Sequence, residues 1–196
     1  MRFEHTDIAG VILITPERIP DERGFFVKTW GEDDFEAHGL AHMVARNMSF
    51  NRAPGTLRGM HFQHAPHAEA KLICALSGAI YDVALDLRPN SSTYLRWLGK
   101  ELRAERGEML YVPEGCAHGF VTLEPDTTIE YLISALYAPN ASTGVRWNDP
   151  AFSIRWPIEP KVLSQKDRTW PDFEPTQIGL LSLGFAEDDL VPRELL

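Results

Sequence analysis

The sequence predicts an all-β domain, a sandwich or closed barrel of short strands. Three observations carry that prediction. About ten short apolar, β-branched or aromatic runs follow one another, most of them bounded by Gly, Pro, Asn or Asp, the pattern of all-β sandwiches and barrels. Two of these runs, "KLICALSG" and "AIYDVALDLR", meet at Ser77-Gly78, a tight-turn signal. The chain has 196 residues, 44% hydrophobic and 24% charged, which suits one globular domain able to bury its core without staples.

Taken in order, "GVILITPERI" (10–19) is an apolar, β-branched strand closed by a proline, and "GFFVKTW" (24–30) is a second strand after the charged turn "PDERG". "EDDFEAHGL" (32–40) has acids first and Gly39 late, as a short helix does. Strands are then expected in "MVARNMSFN", "TLRGMHFQ", "KLICALSG", "AIYDVALDLR", "YLRWLGKEL", "GEMLYVPEG", "GFVTLE" and "TIEYLISALY". "VRWNDPAFSIRWP" (145–157) is aromatic and rich in turn residues, so irregular chain packed on the barrel is expected there. Past about residue 171, "PDFEP" and "IGLLSLGFAEDDLVPRELL" leave a short helix, or a strand with a loose acidic end, both open. There is no internal repeat, low-complexity segment or second domain, which gives one domain over 1–170 and an extension over 171–196.

Charge and cysteine usage exclude several classes. With 28 acids against 19 bases the formal net charge is −9, which argues against broad nucleic-acid binding. An anionic small molecule stays possible, because a few local arginines bind phosphate whatever the total charge. Cys74 and Cys116 each stand alone in apolar surroundings, with no CxxC spacing, and read as buried reduced thiols. "MRFEHTDIAG" has no apolar core of the signal-peptide kind and no run approaches membrane-spanning length, so a cytoplasmic protein with no membrane partner is expected.

The stretch "GTLRGMHFQHAPHAEAKLICAL" (55–76) poses the functional question, because it sets His61 in a hydrophobic strand with Arg58 before it and Lys71 after it. His61 there reads as a metal ligand, a catalytic base, or a core histidine bonded to backbone. "GEMLYVPEGCAH" resembles the second half of the cupin pattern: a strand, a proline-glycine turn and a strand that opens on an inward histidine, His118. The metal-binding version wants a second histidine where Gln63 stands and a glutamate soon after, and the asparagine expected after His118 is Thr122. His64 and His67 continue an H-x-x-H-x-x-H run, but on a turn-like segment. His61 and His118 with Gln63 fall short of three good ligands at fixed geometry, so no metal and no cofactor is expected.

The chain from about residue 10 to 167 resembles the dTDP-4-dehydrorhamnose 3,5-epimerase family. The resemblance is carried by the order and spacing of "DERGFF", "TLRGMHFQ", "EAKL", "GAIYDVALDLR", "LYVPEGCAHGF", "YAPNASTGVRWNDP" and "LSQKD". It implies a cupin-type jelly-roll barrel with a few short peripheral helices, a homodimer that exchanges N-terminal strands, and a nucleoside-diphosphate 4-keto-6-deoxy sugar as substrate. The C4 carbonyl of such a sugar acidifies the protons on C3 and C5, so epimerisation needs a base, an acid on the opposite face and a holder for the enolate.

By that resemblance His61 is the base, Asp167 in "LSQKD" holds it in the right tautomer, and Tyr131 is the acid. Lys71 and His118 would face the oxyanion at O4, Arg23 and Arg58 the diphosphate, Tyr137 the nucleobase, and Asn47 and Asp82 the sugar or base pocket. Rival readings stand beside these: a turn cap for Asp167, strand packing for Tyr131, a solvated strand end for Lys71. Arg58 and His61 are three apart, so a regular strand would send them to opposite faces. A bulge near Gly59 is expected, or else Arg58 serves the partner subunit's site.

Three positions depart from the family pattern: Lys28 stands for a glutamate, Ala45 for the glutamine of Gln-x-Asn, and the acid usual after "YAP" is missing from "NAST". A GDP or CDP sugar, inversion at one carbon only, a 3,4-ketoisomerase, and a non-catalytic sugar-nucleotide binding module therefore remain open as alternatives.

Overall fold

The computed structural model describes residues 1–174. Its strands are β1 (Arg2–His5), β2 (Ile12–Thr15), β3 (Arg18–Asp21), β4 (Gly24–Val27), β5 (Ala45–Asn51), β6 (Leu57–Gln63), β7 (Lys71–Ser77), β8 (Ala79–Asp86), β9 (Trp97–Arg103), β10 (Met109–Val112), β11 (Cys116–Thr122), β12 (Thr127–Ile133) and β13 (Ser142–Gly144). Two short helices, α1 (Glu32–Ala37) and α2 (Gln165–Arg168), lie at the periphery. A six-stranded sheet in the order β1-β2-β10-β7-β12-β5 faces a five-stranded sheet in the order β13-β6-β11-β8-β9. The strand pairings within both are antiparallel.

Alternation along the strands builds three apolar layers. Ile80, Ala84, Cys116 and Phe120 of one sheet meet Leu13, Ile73, Leu110 and Ile129 of the other in the central core. The opposite faces of β8 and β11, with Val83, Leu85 and Ala117, are covered by Val145, Phe152, Ile154 and Trp156. The 145–157 segment thus packs as irregular chain on the barrel, as expected, and it explains why β8 is apolar on both faces. Phe35 of α1 packs with Ile12, Ile14, Leu72 and Met109 on the outer face of the six-stranded sheet.

Most expected runs are single strands and 32–37 is helical, but the 10–19 run divides at Pro16 into β2 and β3, which join different sheets, and two further features differ from the sequence reading. The chain does turn at Gly78, yet β7 and β8 enter opposite sheets, so this is a corner between layers and not a hairpin. β1, β13 and α2 were not anticipated, being too short or too polar to show a period. The 171–196 extension lies outside the described residues from 175 on, while Phe173 near its start donates its N–H to Asp149 and sets its ring tilted against that of Phe152.

The β3–β4 hairpin pairs only with itself. Its Ile19 and Phe26 are 61% and 67% exposed.

The bulge predicted near Gly59 is present. His118 lies opposite His61 and Phe120 opposite Arg58, so Gly119 alone faces the two residues Gly59 and Met60. Met60 turns outward into the second layer, and Arg58 and His61 emerge on one side. Gly59 has φ +143, and a Cβ on it would sit 2.5 Å from Gly119 Cα. Gly59→Ala is expected to lower unfolding free energy by about 2–3 kcal/mol, because strain and a backbone clash add. Gly39→Ala, with φ +67 and open space around the new Cβ, should cost only about 1 kcal/mol. Urea unfolding of both variants checks the difference; equal costs would mean the strands separate freely at the bulge.

Candidate active site

A cavity of about 440 Å³ opens between the two sheets and is lined by Asn47, Arg58, His61, Lys71, His118, Tyr131, Tyr137 and Asp167. Eight of the ten residues singled out in the sequence therefore meet in one place. The five-stranded sheet supplies Arg58, His61 and His118, and the six-stranded sheet supplies Asn47, Lys71 and Tyr131.

His61 Nε2 lies 2.5 Å from Asp167 Oδ1. Asp167 is buried in α2, whose N-cap Ser164 accepts the Asp167 N–H at 3.0 Å, so the carboxylate reaches the site as part of a capped turn. Burial works to raise the Asp167 pKa, but hydrogen bonding and charge from His61, with bonds from Ser164 and the Gly59 N–H, outweigh it and hold it below the ordinary value. With Nε2 taken by Asp167, Nδ1 is the ring nitrogen left to accept a proton.

Tyr131 enters from the opposite sheet. Its hydroxyl is 2.8 Å from Ser49 Oγ, and burial pushes its pKa up to about 12, against smaller lowering effects of the Ser49 bond and the Arg58 charge. The phenol is therefore protonated throughout the physiological range.

Lys71 is buried rather than solvated, with Nζ 3.0 Å from Glu69 Oε1 and donating to the His61 carbonyl at 3.2 Å. His118 Nε2 bonds Asp82 Oδ1 at 2.7 Å. Arg58 donates through Nε to Asn51 Oδ1 at 2.8 Å, which leaves both terminal nitrogens for an anion. Lys166 stands at the cavity wall with Nζ 5.1 Å from the Trp170 ring centroid.

Two expected site residues sit elsewhere. Asp82 does not line the cavity: it is fully buried behind His118, so it orients that ring and is not placed to touch a substrate. Arg23 is on the β3–β4 turn, its side chain 84% exposed and paired with Asp21 at 2.6 Å, and it does not line the cavity. Of the positions that depart from the family pattern, Lys28 pairs with Asp34 at 2.6 Å, and Ala45 is on β5.

The sequence reading missed Glu69, Ser49, Asn51, Ser164 and Lys166. Ser49 and Asn51 continue the inward set begun by Asn47 at a period of two, a signal that could have found them. Gln63, where metal-binding cupins carry a histidine, accepts the Ala138 N–H at 2.7 Å and donates to the Leu136 carbonyl at 3.3 Å. It thus pins the segment that carries Tyr137.

A carboxylate-held imidazole facing a protonated phenol across a barrel interior, with cations around them, defines an acid–base enzyme of the cupin type. The chain belongs to the dTDP-4-dehydrorhamnose 3,5-epimerase family, whose sequence profile matches residues 5–175. It is 42% identical to the dTDP-4-dehydrorhamnose 3,5-epimerase of Sinorhizobium fredii, over 87% of this chain and 89% of that one. The crystal structure of the Elizabethkingia anophelis enzyme superposes with a TM-score of 0.85 at 40% identity, covering 88% of this chain and 96% of that one. The Bacillus anthracis enzyme, solved with TDP and PPi bound, gives 0.84 at 39% identity, covering 88% and 99%.

The depressed Asp167 pKa has a testable sign. Its bond to His61 contributes stability above the unfolded carboxylate pKa of about 3.9, and that contribution is lost as pH falls through the lower folded value. Wild type should exceed Asp167→Asn in unfolding free energy at about pH 5, and the gap should close as pH falls from about 4 toward 2. A gap of the same size at about pH 2 would mean the carboxylate is not held as an anion.

Proposed function

We propose that this chain inverts C3 and C5 of a dTDP-4-keto-6-deoxyhexose, the dTDP-4-dehydro-6-deoxy-D-glucose to dTDP-4-dehydro-L-rhamnose conversion. The observation that carries the reading is His61, held by Asp167 on one sheet, opposite the buried Tyr131 phenol on the other. His61 Nδ1 takes the proton from the carbon beside the C4 carbonyl, and the electron pair of that C–H bond moves onto O4 as an enolate. Lys71 and His118 hold the oxyanion, two cation-capable donors each backed by a carboxylate, Glu69 and Asp82. Tyr131 then delivers its proton to the opposite face, and solvent exchange returns a proton to the phenolate and removes one from His61. Both carbons follow the same sequence, and the sugar's electron count is unchanged.

Arg58 suits the diphosphate, as does Lys166, while exposed Tyr137 offers a ring for the nucleobase and Asn47 a polar group for the sugar. The TDP bound to the Bacillus anthracis relative supports a thymidine nucleotide for this chain as well.

The exposed apolar β3–β4 hairpin supports a homodimer in which it docks on the partner, carrying Arg23 to the mouth of the partner's site. A cytoplasmic location is supported by two free thiols among the described residues.

Proton NMR in D2O with dTDP-4-keto-6-deoxyglucose tests the chemistry. Wild type should incorporate deuterium at both C3 and C5, and His61→Ala should slow this by about 10²- to 10⁴-fold. Exchange at C3 alone would overturn double epimerisation in favour of a monoepimerase or ketoisomerase. For the assembly, sedimentation of the 22.1 kDa chain should give a dimer, and Phe26→Asp should release monomers with weakened substrate binding. A monomeric wild type with full activity would remove any part for Arg23.

A further inference from the structure

Arg58, Asn51, Ser49 and Tyr131 form one hydrogen-bonded line running from the cavity mouth to the phenol. Arg58 Nε is 2.8 Å from Asn51 Oδ1, Asn51 Nδ2 is 3.5 Å from Ser49 Oγ, and Ser49 Oγ is 2.8 Å from the Tyr131 hydroxyl. We propose that Asn51 and Ser49 are positioning residues that fix the direction of this line, so that the Tyr131 phenol proton points at the substrate. The proposal rests on Tyr131 serving as the acid of the epimerisation.

The direction follows from which groups can only donate or only accept. A guanidinium only donates, so the Asn51 atom facing Arg58 is its carbonyl oxygen. At the other end Asn51 Nδ2 donates to the Thr127 carbonyl at 3.2 Å, and a carbonyl only accepts. Both neighbours set the amide the same way, and Asn51 is 2% exposed, so no water competes for it. The amide therefore presents N–H to Ser49, weakly at 3.5 Å, and Ser49 Oγ accepts. The serine hydrogen then goes to the Tyr131 oxygen, and the phenol's own hydrogen is left for the cavity. The reverse order would put both the Asn51 and Tyr131 hydrogens on Ser49 Oγ and strand the serine hydrogen in a half-buried site. The same serine O–H stabilises the phenolate that forms once Tyr131 has delivered its proton. Arg58 sets the polarity of the line through Nε while its terminal nitrogens stay available to an anion.

Two variants and two readouts test this. Ser49→Ala removes the donor to the phenol. Asn51→Asp replaces the amide N–H that faces Ser49 with an acceptor that takes the serine hydrogen and turns the Tyr131 hydrogen back toward Ser49. In D2O, both should retain deuterium exchange by His61 at saturating substrate to within about threefold while inversion falls roughly 10- to 100-fold; KM should change little in Ser49→Ala and rise in Asn51→Asp, whose carboxylate pairs with Arg58. Ser49→Thr, which keeps the hydroxyl, should restore the ratio of inversion to exchange. A merely structural role would lower exchange and inversion together, and that result, or unchanged inversion in folded variants, would overturn the proposal.

The second readout needs no turnover: pH titration of Tyr131 by NMR, with fluorotyrosine incorporated to bring it into the range where the fold is intact. Loss of a donor to the phenol oxygen should raise the Tyr131 pKa in Ser49→Ala. A fall would mean that Tyr131 donates to Ser49, and would overturn the proposal even if wild type showed no exchange and the epimerase reading itself had failed.

Discussion

The mismatch between β6 and β11 at Gly59 is the constraint on which the site depends. Without it, period two would send Arg58 and His61 to opposite faces, and one of them would sit among the aromatics of the outer layer. Two glycines make the mismatch possible. Gly59 takes a backbone conformation closed to most side chains, and Gly119 leaves room for the strands to approach. Local backbone irregularity here converts a sheet, which offers every second residue to the barrel, into a surface that offers two chemically different residues three apart.

The two sheets then divide the chemistry. The five-stranded sheet brings imidazoles, each held by a carboxylate, and the six-stranded sheet brings a phenol and an ammonium. Burial pushes both acids upward, with opposite outcomes. It raises the phenol so that it keeps its proton, whereas at Asp167 hydrogen bonds overcome burial and keep the carboxylate charged. In the proposed reaction a substrate between the sheets would meet a proton acceptor on one face and a proton donor on the other, as stereochemical inversion requires. Because each partner is fixed by its own sheet, their separation is set by the packing of the central core rather than by a mobile loop.

Much of this was legible in the sequence because it rests on local signals. Strand periodicity pointed to a sandwich or barrel, the resemblance to the epimerase family singled out His61, Tyr131 and Asp167, and a three-residue separation beside a glycine pointed to the bulge. What was hidden depends on depth and layer. Asp82 shares its inward face with Ile80 and Ala84, and alternation cannot tell a residue that lines a cavity from one sealed behind His118. The Ser77-Gly78 turn looks the same whether the strands it joins pair or part into opposite sheets, because β8 is apolar on both faces in either case. α2 spans four residues, below the length at which helical periodicity exists, and only its Ser164 cap marks it.

The same distinction bears on the positions where the chain departs from its family's pattern. Those departures fall on Lys28, on Ala45 of the edge strand β5, and within 140–143. The residues that carry the resemblance inside the barrel, His61, Lys71, His118 and Asp167, are each bonded to a fixed partner. Asn51 joins β5, β6 and β12 through Arg58, Ser49 and Thr127, and Gln63 ties β6 to the Tyr137 segment. A residue bonded on several sides cannot change without stranding a buried donor or acceptor, at a cost of about 1–3 kcal/mol each. Lys28 pairs only with Asp34 across an exposed surface, so a change there strands no buried group, and the interior hydrogen bonds hold the His61 and Tyr131 side chains more firmly than the surface holds its own.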